Sequence, residues 1–242
     1  MQFYFIRHAQ SANNHLWDTT QSSVGRSEDP ELTEVGVQQA EILGRFLAQS
    51  NPDITLRGTD YHNAKGFGIT HVYSSLMLRA VATGTAVANA LGLQLIGMED
   101  LHEWGGIYLQ NEETGEYTGL PGKTRSYFEK HHPQLILPDS VDEAGWWKGR
   151  PHEVEELCVA RGERVWSELV KRHSGTNDHV AVVTHGAFMN VLFRIIFKMQ
   201  MRFEDFWLMM NNTAIMRIDV EPNQVALVYT NKLDFMPNEL IT

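Results

Sequence analysis

Four times along this chain a short apolar run stops at a polar residue and gives way to chain with a different character. Residues 2–6 are the first run and end in Arg7-His8. A helix then opens at Thr33, a good N-cap, and places Ala40, Leu43, Phe46 and Leu47 on one face. His71-Val-Tyr-Ser74 is the second run. It leads into a helix carrying Leu78, Val81, Ala82, Thr85 and Ala88 that stops near Gly92. Residues 93–96 form a third strand, and Val180-Ala-Val-Val-Thr184 a fourth, followed at once by His185, Gly186 and a strongly apolar helix through Phe197. Residues 215–220 and 225–229 read as a hairpin. Strands that alternate with amphipathic helices predict an α/β fold, a three-layer α/β/α arrangement with a mostly parallel central sheet. The 242 residues fit one domain, 1–242. Residues 97–152 depart from the pattern, mixing Trp104, Tyr108, Tyr117, Tyr127, Phe128, Trp146 and Trp147 with glycine, proline and charge. They read as a lid-like insertion, an aromatic-rich excursion over the active-site edge.

Composition narrows the partners. The net charge of -10 argues against nucleic acid and against an anionic membrane surface. An anionic small molecule would need a local cationic pocket, which makes each arginine near a strand end informative. No run reaches the ~18 apolar residues of a membrane span, and the N-terminal run meets Arg7 too early for a signal peptide. The single cysteine, Cys158, precludes an intramolecular disulfide and fits a reducing, cytoplasmic setting. It falls in a helical pattern with Val154, Leu157 and Arg161 and is expected to pack in the core. Asn211-Asn-Thr213 is read as a turn. Oligomerisation is left open.

In parallel sheets ligands bind beyond the carboxyl ends of the strands, and the chemically loaded segments fall there. His8 follows a buried strand, so its imidazole is rigidly held. A neutral imidazole nitrogen can attack phosphorus, and Arg7 offers a planar fork for a phosphoryl group. His185 ends another strand, and Gly186 opens a helix whose free N–H groups and positive dipole end are expected to face an anion. Arg79 lies in the first turn of a helix, where a cation is unfavourable unless an anion binds. Glu103, flanked by Trp104 and two glycines, is the candidate general acid, with Glu99, Asp100 or an acid of the excursion as alternatives. His131, His132, His152, His173 and His179 have no ligand spacing and are read as surface residues, so no metal site is expected.

These segments together resemble the histidine phosphatase superfamily, also called phosphoglycerate mutase-like. Its Arg-His-Gly/Ala-x-Ser-x-x-Asn motif is matched by Arg7 to Asn14, its Ser-Ser-x-x-x-Arg-Ala-x-x-Thr by Ser74 to Thr83, its Leu-x-Glu by Leu101 to Glu103, and its second His-Gly by His185-Gly186. Asp29 to Gly36, followed by Gln39-Ala40, is similar to the family's Leu-Thr-x-x-Gly-x-x-Gln-Ala helix, and Asn231 to Pro237 to its closing segment. The resemblance implies that His8 becomes phosphorylated, that Arg7, Arg79 and His185 bind the phosphoryl group with Asn14 assisting, and that Glu103 protonates the leaving oxygen and then activates water. It implies no cofactor and a small phosphorylated substrate. The first motif lacks the Trp-Asn and Gly-Trp-x-Asp of cofactor-dependent mutases, and Trp104-Gly-Gly stands where their Arg-His-Tyr-Gly would be. A phosphatase is therefore expected ahead of a mutase or a non-catalytic phosphate-binding module.

Overall fold

A computed structural model describes residues 1–200 and 204–242. Seven strands form one sheet in the order β6-β3-β2-β7-β1-β8-β9. Here β1 is Gln2–Arg7, β2 His71–Ser74, β3 Leu95–Gly97, β6 Leu135–Ile136, β7 His179–Thr184, β8 Ile215–Glu221 and β9 Gln224–Lys232. The first five in that spatial order run parallel, while β8 and β9 are antiparallel additions at one edge. The mostly parallel sheet and the hairpin are as expected.

Alternation along β1 divides the interior. Phe3 and Phe5 pack on one side with α5 (Glu155–His173) and α6 (Gly186–Ile196), through Cys158, Val165, Leu169, Phe188 and Leu192. Tyr4 and Ile6 pack on the other with α2 (Glu34–Leu47) and α3 (Leu78–Leu91), through Leu43, Leu47, Val81 and Val87. A strand buried on both faces must be apolar throughout, as β1 and β7 are. Thr33 caps α2 by accepting from the Gly36 N–H at 3.0 Å, and α3 ends on Gly92 in the left-handed region, φ +66°.

Four expectations are revised. A helix, α1 (Ala12–Thr20), follows the first motif in what reads as a polar stretch; Ser11 and Asn14 close a capping box at its start. The buried face of α5 runs through Cys158, Arg161, Gly162, Val165 and Leu169, leaving Val154 and Leu157 exposed. His173 is not a surface residue: it is buried, with Nδ1 2.9 Å from Asp178 Oδ2 and Nε2 3.2 Å from the Tyr73 hydroxyl. Residues 97–152 do more than cover an edge. They supply β6 to the main sheet, the hairpin β4 (Tyr108–Gln110) and β5 (Tyr117–Gly119), and the short helix α4 (Arg125–His131). Trp146 and Trp147 are buried in the core with Leu76, Met77, Ile107 and Phe128.

Candidate active site

Strands β2, β7 and β1 are adjacent, and their carboxyl ends deliver Ser75, His185 and His8 to one edge. His8 is buried and hydrogen-bonded through its backbone N–H to Thr184 O, 2.9 Å. Its Nδ1 lies 2.7 Å from Ala9 O. A carbonyl only accepts, so Nδ1 carries the proton and Nε2 keeps its lone pair. Arg79 Nε donates to that Nε2 at 3.1 Å. Burial, then the charges of Arg79 and Arg7, hold the ring's pKa well below the ordinary histidine value, so the imidazole is neutral at neutral pH.

Arg7 donates from Nη1 to Met210 O at 2.6 Å, while its buried Nε has no partner. Arg79 is buried, and its Nη1 lies 4.0 Å from Asp29 Oδ1. Asp29, pushed up to about 6 mainly by burial, also accepts the Leu78 N–H at 2.9 Å. It therefore caps α3, whose own N-cap residue Met77 contributes no side chain. The arginine that looks misplaced in a first helical turn is thus balanced by a carboxylate 50 residues away in sequence, counted from Asp29 to Arg79. Thr83, one turn on, accepts the Ala9 N–H at 3.0 Å and fixes the loop after His8.

His185 is completely buried, its ring centroid 5.0 Å from that of His8. Nε2 pairs with Ser75 Oγ at 2.9 Å, and Nδ1 has no partner. Burial, Arg79 and His8 lower its pKa well below the ordinary value. Asn14 Oδ1 accepts from Ser11 N, Ser11 Oγ and Asn212 Nδ2, which leaves its amide nitrogen as the group able to assist an anion.

Glu103 changes the expected picture of α6. Its carboxylate accepts the N–H groups of Trp104 and Phe188 at 2.9 Å and of Ala187 at 3.2 Å. Two of the first-turn donors expected to face an anion, the N–H groups of Ala187 and Phe188, are occupied by Glu103 itself. The segment before it is fastened on two sides: Thr184 Oγ1 donates to Leu101 O at 2.7 Å, and Arg161 Nη1 to Asp100 O and His102 O at 2.7 and 3.0 Å. Arg161 is locked by a bidentate pair with buried Glu153, 2.8 and 2.6 Å. The two glycines after Trp104 are required by the backbone and by packing. Gly105 and Gly106 have φ of +91° and +80°, and a Cβ on Gly106 would lie 2.1 Å from the Trp147 ring.

A cleft of about 310 Å³ is lined by Arg7, His8, Asn14, Arg79, Glu103 and Gly186. Six of the seven residues expected at the site line it, and His185 lies against His8 without reaching its lining. Glu99 and Asp100 are elsewhere: Glu99 bonds Ser140 and pairs with Arg150, and Asp100 pairs with Arg164. Sequence reasoning missed Asn13, Arg26 and the stretch Trp207 to Met210, which also line the cleft. Asn13 stood inside the first motif, whereas Arg26 and Trp207 carry no periodic or motif signal. Trp104, Tyr108, Trp146 and Trp147 do not line it. At the opposite, amino end of β2, the donor atoms of His71, His173 and Asp178 lie within 4.8 Å of one another, the one metal-compatible group among the described residues.

The model of the histidine phosphatase superfamily (branch 1) matches residues 3–59 and 61–233. A protein of Hydrogenobacter thermophilus named "Putative phosphoserine phosphatase 2" is 26% identical over 236 residues, 96% of each chain. A Yersinia pestis protein named "Probable phosphoglycerate mutase GpmB" is 27% identical over 161 residues, 66% of this chain and 63% of that one. In fold, the chain is similar to the phosphoserine phosphatase of Entamoeba histolytica, solved in complex with 3-phosphoglyceric acid, with a TM-score of 0.58 at 18% identity over 98% and 99% of the two chains. The chain belongs to the histidine phosphatase superfamily. Its enzyme class is that of the phosphoric monoester hydrolases.

Proposed function

We propose that this protein hydrolyses a small phosphate monoester in two half-reactions that share a phosphohistidine on His8. The observation that carries the proposal is the His8 ring, tethered through Nδ1 so that the lone pair on Nε2 lies in the cleft beside two guanidinium groups. Nε2 attacks phosphorus as the ester P–O bond breaks, Arg7, Arg79, His185 and the Asn14 amide offset the charge on the phosphoryl oxygens, and Glu103 gives a proton to the leaving oxygen. In the second half-reaction Glu103 takes a proton from water, the hydroxide displaces His8 from phosphorus, and inorganic phosphate leaves. Among the described residues the buried Arg7 Nε and His185 Nδ1 have no partner; Arg7 Nε is a donor that a phosphoryl group would satisfy, and His185 Nδ1 is one in the tautomer whose Nε2 accepts from the Ser75 hydroxyl. The proposed setting is the cytoplasm, supported by the lone, buried Cys158, and fractionation of the source cells tests it.

The test is rapid quench with a ³²P-labelled ester. Wild-type protein should carry an acid-labile, base-stable label, and His8→Ala should carry none and release no phosphate. Turnover by a folded His8→Ala protein would sink the mechanism. The mutase reading has one specific support, the partial match to the Yersinia protein. Return of label to a phosphoglycerate acceptor faster than release to water would establish it.

A further inference from the structure

We propose that Arg26 forms a second anion subsite in the His8 cleft, so that the substrate is a small phosphate monoester bearing a second anionic group a few bonds from the first. This deepens the phosphatase reading and rests on it. Arg26 belongs to the loop between α1 and α2 and lines the same cleft as His8, Arg7 and Arg79. Its neighbour is tied to α1: Asn13 Nδ2 donates to Ser27 O at 2.7 Å, and the Ser27 N–H donates back to Asn13 Oδ1 at 2.9 Å.

The guanidinium is also held from the other side. Its carbon sits 4.4 Å over the centroid of the Tyr108 ring. Tyr108 packs edge-on against Tyr117 at 5.3 Å and against His152 at 4.5 Å, and His152 stacks on Tyr117 at 4.1 Å. Gly105 makes room for this plinth, since a Cβ there would lie 2.5 Å from Tyr108 and 2.7 Å from His152. Stacking engages the face of a guanidinium and leaves the N–H groups on its edge to donate. Among the described residues no acidic side chain lies within 4.0 Å of Arg26.

Held in this way, Arg26 is a cation with no acidic partner within 4.0 Å among the described residues, in a cleft that already holds Arg7 and Arg79 and, as its one lining carboxylate, Glu103. Arg26 indeed helps depress the pKa of Arg79. One phosphoryl group at His8 engages the buried Arg79 and its neighbour Arg7, whereas Arg26 is partly exposed and reaches the cleft from a separate loop. A second anion a few bonds from the phosphoryl group gives the Arg26 guanidinium a hydrogen-bonding partner that a phosphoryl group held by Arg7 and Arg79 does not supply. A cleft of about 310 Å³ is at the small end for ligand sites, roughly 300 Å³ upward, so the two anions must be close. A carboxylate and a second phosphoryl group share this chemistry.

Three esters separate the cases: phosphoglycolate, propane-1,3-diyl bisphosphate and glycerol 3-phosphate, which has no second anion. The wild-type enzyme should prefer at least one doubly anionic ester in kcat/KM. Arg26→Ala should reduce that preference about tenfold, the scale of one charge-assisted hydrogen bond, mainly through KM. Tyr108→Leu should reduce it by a smaller factor and Arg26→Lys by less than Arg26→Ala. The ester whose advantage falls most identifies the second anion. An unchanged preference in Arg26→Ala, or equal losses on all three esters, overturns the subsite and leaves the phosphatase reading intact. Calorimetric binding of the same esters to His8→Ala protein, with and without Arg26→Ala, gives the same ratio as affinities. It decides the subsite even if no ester turns over, an outcome that would count against the phosphatase reading alone.

Discussion

His8 and Glu103 illustrate how a side chain's role depends on which of its atoms are already engaged. The proton on His8 Nδ1 is spent on Ala9 O, which leaves the lone pair on Nε2, and burial, then the charges of Arg79 and Arg7, keep the ring neutral. Glu103 is held by three backbone N–H groups, one beside it and two in the first turn of α6. The same carboxylate that is placed to move a proton is therefore also the cap of a helix, and a substitution there tests two roles at once. Glu103→Gln retains one acceptor and turns an amide donor toward a backbone donor, so a loss of stability on the order of 1–2 kcal/mol is expected from the damaged cap. A leaving-group acid predicts something a cap does not. Phosphorylation by an alkyl ester should slow by about 10²-fold or more, the usual size of general acid catalysis, while p-nitrophenyl phosphate, whose leaving group needs little protonation, should lose far less. Single-turnover rates on the two esters measure the difference, and equal losses would leave Glu103 with the cap alone. The general acid was legible as a residue from the Leu-x-Glu pattern. Its partners were not, because hydrogen bonds between residues 103 and 188 leave no trace in local spacing.

The helices that follow β2 and β7 share a device: neither is capped by its own N-cap residue, and each receives a carboxylate from a distant loop, Asp29 for α3 and Glu103 for α6. The negative charge favoured at a helix N-terminus is thereby supplied by the protein at two of the elements that build the site. The helix α5 performs a related service through Arg161, whose guanidinium joins Glu153 to the carbonyls of Asp100 and His102 just ahead of Glu103. Arg161→Met leaves the Glu153 carboxylate buried and unpaired, and a destabilisation of about 3–5 kcal/mol is expected in urea titration. Changing Glu153 to Leu as well should restore most of that stability, since the buried charge is then gone. It should not restore kcat, because the tether on His102 O is still missing. Full recovery of both by the double variant would reduce Arg161 to a structural role. At this scale the sequence was most readable where burial is one-sided or complete: β1, β2, β7, α2, α3 and the β8–β9 hairpin follow from apolar runs, caps and turns. It was least readable in α1, where no residue is buried to set a period, and in 97–152, whose short strands and core tryptophans are fixed by contacts with the rest of the sheet.

At the scale of the whole molecule, the arrangement concentrates buried cations around neutral histidines. Burial comes first, and the charges of Arg79 and Arg7 at His8, of Arg79 at His185 and of Arg161 at His102 come next; together they hold all three pKa values well below the ordinary histidine value of 6.5. The consequence for stability follows from linkage. The unfolded chain protonates these rings as pH falls through about 6.5, whereas the folded chain does not, so the unfolded state binds more protons and unfolding becomes easier with acidification. Asp29 acts with the opposite sign: its carboxyl, at about 6 in the fold against 3.8 in a free chain, keeps a proton that the unfolded chain has released, and so resists acid unfolding below pH 6. The net expectation is a stability maximum above pH 7, a decline that starts near pH 6.5, to which these three rings and, in the same direction, the partly buried His132 and His152 contribute, and a gentler slope below pH 6 as Asp29 opposes it. Urea unfolding at half-unit steps from pH 7.5 to 5 measures this slope directly. His102→Gln provides the control that keeps the nucleophile and its arginines, since the glutamine amide can replace the ring N–H that faces Glu103 O at 2.8 Å; it should flatten the decline by one proton. A protein whose stability is level or rising from pH 7 to pH 5.5 would show that these rings take up protons in the folded state, and with that the neutral His8 on which the proposed attack depends would be lost.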